Sequence, residues 1–295
     1  MITDRNKKLS YLSLLLPAFI IYIAIIIFPV VVSFGLSFTK WRHFQLKGFV
    51  GIENYINIIK DPIFQIAVKN NVKIMLISVL GQIPLGVILA YLLFRKWVRG
   101  SQFFEMMIFL PITISSIVVA LLWNRVFSPV GIYTSFVRTI TDNPDYVVKI
   151  FENEKHAIVP VLFVLLWQHT SLYMIIFLAN LQRIPKSVFE AATIDGASEW
   201  TIIRKIVLPA LTAVIYTCSV LAISGSLKSF DLVFAMTGGG PVHYTYVMAL
   251  YLYQQTFTFN NYGYGSAVSI IIVVLSVGLI TFCQRIFAKI SNKYN

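Results

Sequence analysis

The run LLLPAFIIYIAIIIFPVVV, residues 14 to 32, carries no charged side chain and decides which environment this chain can fold in. A helix rising about 1.5 Å per residue crosses a hydrocarbon core of about 30 Å in roughly 20 residues, so the run is long enough to span a bilayer. Inside lipid no water bonds the backbone, which leaves only helices or closed barrels. The alternating, turn-separated segments of a membrane barrel are absent. Similar windows recur, giving six expected spans at about 12–38, 72–94, 103–123, 158–179, 211–235 and 266–284. With 58% of its 295 residues hydrophobic, 12% charged and a mean hydropathy of +0.78, the chain is excluded from the soluble domains. The expected fold is all-α, a single transmembrane domain over residues 1–295 with six transmembrane helices.

MITDRNKKLS, ahead of span 1, resembles the basic start of a signal peptide. The apolar run that follows is too long and lacks a small-residue cleavage site, so it reads as a retained span. Arg5, Lys7 and Lys8 precede span 1, and Arg95, Lys96 and Arg99 separate spans 2 and 3. Arg183, Lys186, Arg204 and Lys205 separate spans 4 and 5, and Arg285, Lys289 and Lys293 follow span 6. If every span crosses, these bases share one side, whereas residues 237–265 contain no Lys or Arg. Both termini are therefore expected in the cytoplasm of a multi-pass cell-membrane protein. The connection between spans 1 and 2 runs against this bias with Lys40, Arg42, Lys47, Lys60 and Lys69.

The net charge of +12 is scattered around helix ends with no basic stripe, so anionic lipid is the expected partner and nucleic acid is not. Cys218 and Cys283 fall in or beside apolar spans and read as small packing residues, and no metal site is expected.

Between spans 4 and 5 lies EAATIDGASEWTIIRKIVLPAL, residues 190 to 211, with three acids and two bases. Pro185 stops span 4, and Ser187 with Glu190 three residues on has capping-box spacing. A short helix carrying Phe189, Ala191, Ala192 and Ile194 is expected, ending at Gly196 in the left-handed geometry of a helix end. Ser198 can cap a second helix with Trp200, Ile203, Ile206 and Val207 on one face and Glu199, Arg204 and Lys205 opposite. Pro209 marks its join with span 5. By its residues alone, the loop at about 185–209 is an amphipathic segment at the interface.

The order of its letters resembles the EAA loop of binding-protein-dependent ABC importer permeases. Glu190, Ala191, Ala192, Asp195, Gly196, Ala197, Ile206 and Pro209 match that pattern, and Ile203 stands where it often has Phe. The resemblance implies a cytoplasmic coupling helix that docks in a cleft on an ATPase. Its coupling residues would be Glu190, Ala191, Ala192, Asp195, Gly196, Ala197, Ile203 and Pro209, with Glu190 either pairing with a base on the partner or capping its own helix.

Other stretches are similar to the carbohydrate branch of that family, of maltose-transporter type, and to its first permease subunit. They are LLPAFIIYIAIIIFPVVVSFGLSFTKW, GIENY, FLPITISS, KSFDLVFAMTGGGP and YGYGSA. The resemblance implies a permease for a sugar or oligosaccharide delivered by an extracytoplasmic solute-binding protein. Its partners would be a second homologous permease subunit and two cytoplasmic ATPase subunits that bind ATP and Mg. The chain contains no GxxxxGK[ST] motif and shows no catalytic constellation, so it is expected to be no enzyme and to bind no cofactor itself. The alternatives are a non-sugar solute such as glycerol phosphate, or an ion-coupled secondary transporter with His169 as proton relay. The latter lacks carboxylates deep in the spans, since Glu105 and Asp231 lie near span ends.

Polar groups within spans should face an interior or a pathway. Span 3 offers Thr113, Ser115 and Ser116; span 4 offers Trp167, Gln168, His169, Thr170 and Ser171; span 5 offers Ser224, Ser226, Lys228, Ser229 and Asp231. Hydroxyl-bonding groups and aromatic rings are what recognise a sugar. Resemblance to the maltose permease selects Ser116, Gln168, His169, Ser226 and Ser229 as substrate contacts, with helix-to-helix bonding as the alternative use of each hydroxyl. Lys228 and Asp231, three apart, are expected to pair on one helix face, as a structural pair or in the pathway. The glycines from Gly238 to Gly240 with Pro241 suggest a sharp external turn. The aromatic stretch after it suggests an interfacial helix, or a surface touched by the docked binding protein.

Overall fold

The computed structural model describes residues 14–42, 45–97, 99–147 and 149–291. Arg5, Lys7, Lys8 and Lys293 lie outside them. Helix α1 (Leu14–Leu36) leads into an antiparallel hairpin of β1 (Thr39–Arg42) and β2 (Gln45–Phe49), then a short helix α2 (Glu53–Lys60). Helices α3 (Pro62–Phe94), α4 (Ser101–Thr113), α5 (Ser116–Val126), α6 (Ile132–Thr141) and α7 (Val159–Leu181) follow. The loop after α7 holds α8 (Lys186–Ile194) and α9 (Glu199–Ala210). Last come α10 (Thr212–Leu227), α11 (Asp231–Thr237), α12 (Met248–Tyr253) and α13 (Tyr262–Ser291).

Helices α1, α3, α7 and α13 are each long and apolar enough to cross a membrane, and the bent pairs α4 with α5 and α9 with α10 bring the number to six. The all-α polytopic fold expected from the sequence is thus present, with the two-stranded hairpin as its one addition among the described residues.

The span limits differ in instructive places. Span 2, expected from about 72, belongs to a helix that begins at Pro62; its first turns carry Gln65, Lys69, Asn70, Asn71 and Lys73, which an apolar window passes over. Span 3 is broken: α4 and α5 meet at 98°, with Ile114 at ψ 138° and Ser115 at ψ 135°. Pro111 weakens the end of α4 by removing a backbone donor. Span 5, expected to run to about 235, stops at Leu227, and α9 meets α10 at 67° around Leu211, just past Pro209.

Two compact units are distinguished. One ends at Asp61 and takes in Leu252–Val273; the other comprises Pro62–Tyr251 and the chain from Val274 onward. In the first, α1 leaves its large apolar side chains exposed, as suits a helix against lipid. The Asn54 amide donates to the carbonyls of Ser37 at 2.7 Å and Thr39 at 3.0 Å, fixing the end of α1. A Cβ on Gly263 would stand 1.9 Å from the Thr39 carbonyl oxygen, so only glycine allows that approach.

In the second unit α3 packs along α7. Ala90, Tyr91, Tyr173, Met174, Phe177 and Leu181 form a core joined by Phe189, Ile202, Val207, Cys218 and Ala222. Between lipid-embedded helices the apolar effect is largely lost, so close fit and buried polar bonds must hold them together. Gly86 supplies the fit, since a Cβ there would lie 2.8 Å from Cβ of Tyr173. Gln82 supplies a bond, donating to the Leu165 carbonyl at 2.9 Å.

Candidate functional site

The loop between α7 and α10 forms two helices, but its first does not start as expected. Pro185, at φ −57° and ψ 135°, is itself the residue before the helix, so Ser187 falls within the first turn and no side chain caps it. The capping box is therefore not formed. Glu190 is exposed and has no hydrogen-bond or ion-pair partner among the described residues.

The end of α8 follows its sequence signature. Gly196 takes φ +72°, the Ala197 N–H bonds the Ala192 carbonyl at 2.9 Å, and the Gly196 N–H bonds that of Thr193 at 3.1 Å. Ser198 then caps α9, its hydroxyl accepting the Thr201 N–H at 3.3 Å.

The buried face of α9 differs from the expected stripe: Ile202, Val207 and then Leu211 are buried, whereas Trp200 is 68% exposed. A π-helical turn at Ile203–Val207 just before Pro209, which cannot donate a regular helical bond, rotates the helix relative to the simple periodicity.

The expected coupling residues divide by exposure. Glu190, Ala191, Asp195 and Gly196 are exposed beside Ile194, which is 86% exposed, while Ala192, Ala197 and Ile203 pack against the protein's own core and Pro209 is half-buried at the bend.

The loop is fastened to α3 by groups that sequence reasoning assigned elsewhere. Glu199 accepts hydrogen bonds from the Tyr91 hydroxyl and the Arg95 guanidinium, an ion pair in the second case. The Arg95 guanidinium also lies 6.0 Å from the centre of the Phe189 ring, and that ring is 5.2 Å from Phe94. These contacts join α8 and α9 to the C-terminal end of α3.

A cavity of about 210 Å³ lies within the same unit, lined by Ser78 and Gln82 of α3, Ser116 of α5, His169 and Tyr173 of α7, Ser226 of α10, and Lys228, Ser229 and Asp231. It gathers Ser116, His169, Ser226, Ser229, Lys228 and Asp231 from among the expected residues. Nδ1 of His169 is buried with no partner among the described residues. The Ser226 hydroxyl donates to the Ile223 carbonyl at 2.7 Å.

The ion pair expected between Lys228 and Asp231 is not formed. Helix α10 ends at Leu227 and α11 begins only at Asp231, and Phe230 between them has φ −134°, so the helical spacing that would bring the two together does not exist.

Gln168 stands apart from the cavity. It is 2% exposed, and its Nε2 donates to the Ile114 carbonyl and the Ser116 hydroxyl, each at 3.3 Å, across the break between α4 and α5. Sequence reasoning expected it at the substrate; here its amide donor is used on the bend that carries Ser116, while its Oε1 is buried with no partner among the described residues.

Other side-chain amides, buried at Asn70 and Asn71 and exposed at Asn124, also bond main-chain groups of other elements. Asn71 donates to the Ser226 carbonyl at 2.7 Å and accepts the Met248 N–H at 2.7 Å. Asn70 donates to the carbonyls of Tyr244 and Tyr246, and Asn124 to that of Met236. Their signal in the sequence was an amide embedded in or beside an apolar span.

The glycine turn is present, with Gly238 at φ +60° and Gly239 at φ +87°, and Thr245 donates to the Gly240 carbonyl at 3.1 Å. Helix α12 follows with Met248, Leu250 and Tyr251 buried, in place of the expected interfacial helix.

These features define a polytopic α-helical membrane protein whose broken spans border a polar cavity and whose amphipathic loop is tied to a span. Residues 82–292 match the family described as binding-protein-dependent transport system inner membrane component, and the chain belongs to that family. It is 35% identical over 261 residues to a probable ABC transporter permease protein of Pyrococcus horikoshii, covering 83% of this chain and 85% of that one. It is 32% identical over 254 residues to the multiple sugar-binding transport system permease protein MsmF of Streptococcus mutans, covering 83% of each. Its fold matches, with a TM-score of 0.83 at 21% identity and 98% of both chains covered, a chain in the crystal structure of a bacterial ABC transporter involved in import of the acidic polysaccharide alginate. The chain is an inner-membrane transport component and not a catalyst.

Proposed function

We propose that the chain is one of two permease subunits of an ABC importer for a sugar or oligosaccharide delivered by an extracytoplasmic solute-binding protein. The observation that carries the reading is the cavity that gathers Ser116, His169 and Ser226 from three spans with Ser229 from the connection after α10, a set of hydroxyl-bonding groups suited to sugar hydroxyls. The relationship to MsmF, named for multiple sugars, points to the same class of substrate.

In this reading both termini and the α8–α9 loop are cytoplasmic, and ATP and Mg bind to two separate ATPase subunits. The exposed face of Glu190, Ala191, Asp195 and Gly196 meets one of them. Closure of the ATPase pair moves the loop, the Arg95–Glu199 bond carries α3 with it, and the cavity changes the side to which it opens.

The test is uptake into vesicles that contain both permeases and the ATPases, with binding protein supplied, using labelled lactose, maltose, trehalose and raffinose, with glycerol 3-phosphate as the non-sugar control. ATP-dependent uptake of at least one sugar is expected. Uptake of glycerol 3-phosphate alone, or uptake driven by a proton gradient with this chain alone, would overturn the reading.

A further inference from the structure

A second cavity, of about 380 Å³, lies wholly within the other unit, between the connection from α1 to α3 and the segment leading into α13. None of the residues assigned above to coupling or transport lines it. Helix α2 presents Glu53 and Asn57 one turn apart on one face. The hairpin supplies Lys40 and Trp41. Gln255, Asn261 and Tyr264 close the third side.

The wall is organised before any ligand arrives. The indole Nε1 of Trp41 already donates to the Thr39 hydroxyl at 2.9 Å, and its ring meets Tyr262 edge-on at 6.0 Å. What Trp41 still offers is ring surface. The Asn261 amide donates to the Gln255 carbonyl oxygen at 3.3 Å, which orients both. The side chains of Lys40, Glu53 and Asn57 make no hydrogen bond or ion pair among the described residues.

We propose that this cavity is a saccharide-binding site separate from the translocation cavity. Sugar hydroxyls donate and accept at once, and the lining supplies donors in Lys40 and the amides and an acceptor in Glu53. The apolar face of a pyranose needs a flat apolar partner, which Trp41 provides. The two lining carboxylates, Glu53 and Asp61, against one ammonium disfavour an anionic sugar, so the ligand is a neutral one. In the import reading, with all six spans crossing, both connections join an odd-numbered span to an even-numbered one and so face the outside, where sugar arrives. The proposal rests on the import reading for its ligand class and adds a site to it.

The experiment uses the assembled transporter in lipid nanodiscs without binding protein. Saturation-transfer NMR is recorded with lactose, maltose, trehalose and raffinose, for the wild type and for the double variant Glu53→Gln with Asn57→Ala. Both changes fall on exposed positions of α2 and leave Asn54, which holds α1, untouched. Transfer to at least one sugar is expected, weakened about tenfold or more in the variant, the scale of losing a hydrogen bond to a charged group. No transfer to any of the four, or equal affinity in wild type and variant, overturns the proposal. In a separate titration with the binding protein, lost docking of the variant alongside unchanged sugar affinity also overturns it, by making the cavity a protein contact. Uptake of the four sugars is measured alongside: uptake without binding here sinks the site alone, and absence of all sugar uptake sinks the import reading.

Discussion

Gln168 donates its side-chain amide to the Ile114 carbonyl, one helix bridging the break in another. The break between α4 and α5 frees main-chain groups from helical bonding, and the bond across from α7 satisfies one of them. Gln168→Leu keeps a similar bulk and removes the donor. Buried polar bonds between membrane helices average about 0.6 kcal/mol, and an orphaned carbonyl adds to that, so a loss of about 1 to 2 kcal/mol is expected. A thermal melt of the purified complex should show a lowered midpoint for the leucine variant, and substrate-stimulated transport should fall with it because Ser116 is displaced. An unchanged midpoint with impaired transport would return Gln168 to the substrate.

The bond of Arg95 to Glu199 predicts a coupling defect more than a folding defect. The pair is 23% and 37% exposed, so solvent screens it and its stability contribution stays at or below about 1 kcal/mol. Glu199→Gln and Arg95→Gln should each leave assembly near wild type and lower substrate-stimulated ATP hydrolysis. The double variant should do no worse than either single one, since both break the same link. Additive losses, read from stimulated hydrolysis in a double-mutant cycle, would refute a shared role.

Orientation can be tested at two well-exposed apolar positions, one on each of two connections. Ile194 at 86% exposure lies in the α8–α9 loop and Val242 at 71% lies after the glycine turn. Cysteines introduced at the two positions should react with a membrane-impermeant maleimide from opposite sides of the membrane, with Val242→Cys labelled in intact cells and Ile194→Cys only after permeabilisation. The native thiols Cys218 and Cys283 are buried and should contribute little background. Labelling of both new cysteines from outside would reverse the assigned topology.

The spans were legible because apolar windows and backbone satisfaction leave a membrane chain few choices. The end of α8 was legible because Gly196 signals a left-handed residue by type alone. The break in span 3 was not. Pro111 is visible in the sequence, but the turn falls at Ile114 and Ser115, where a partner from α7 receives the freed carbonyl, and that partner lies 54 residues away. Arg95 was legible only as a topological charge, since its bond to Glu199 spans 104 positions. The hairpin at β1 and β2 was hidden by its small size and by its lack of alternation. Lys228 and Asp231 show the same limit in reverse: the spacing suggested a pair, and a helix that stops between them removed it.

Gly196 gives the sharpest test of the α8–α9 loop. Its φ of +72° is a conformation that β-branched residues almost never adopt, yet an added Cβ would meet nothing within 4 Å. The effect of a substitution is therefore backbone strain alone, and the choice of residue can separate strain from size. Gly196→Val should cost about 1 to 3 kcal/mol locally, enough to open the turn that joins α8 to α9 while leaving the spans inserted. Gly196→Asn tolerates the left-handed geometry far better and should retain most function despite its added bulk, provided the position is needed for its shape. Copurification of the ATPase and substrate-stimulated hydrolysis should both fall for the valine variant and stay near wild type for asparagine. If both variants lose the ATPase equally, the face of α8 tolerates no side chain at all and Gly196 acts through close contact. If neither does, the turn has no part in coupling.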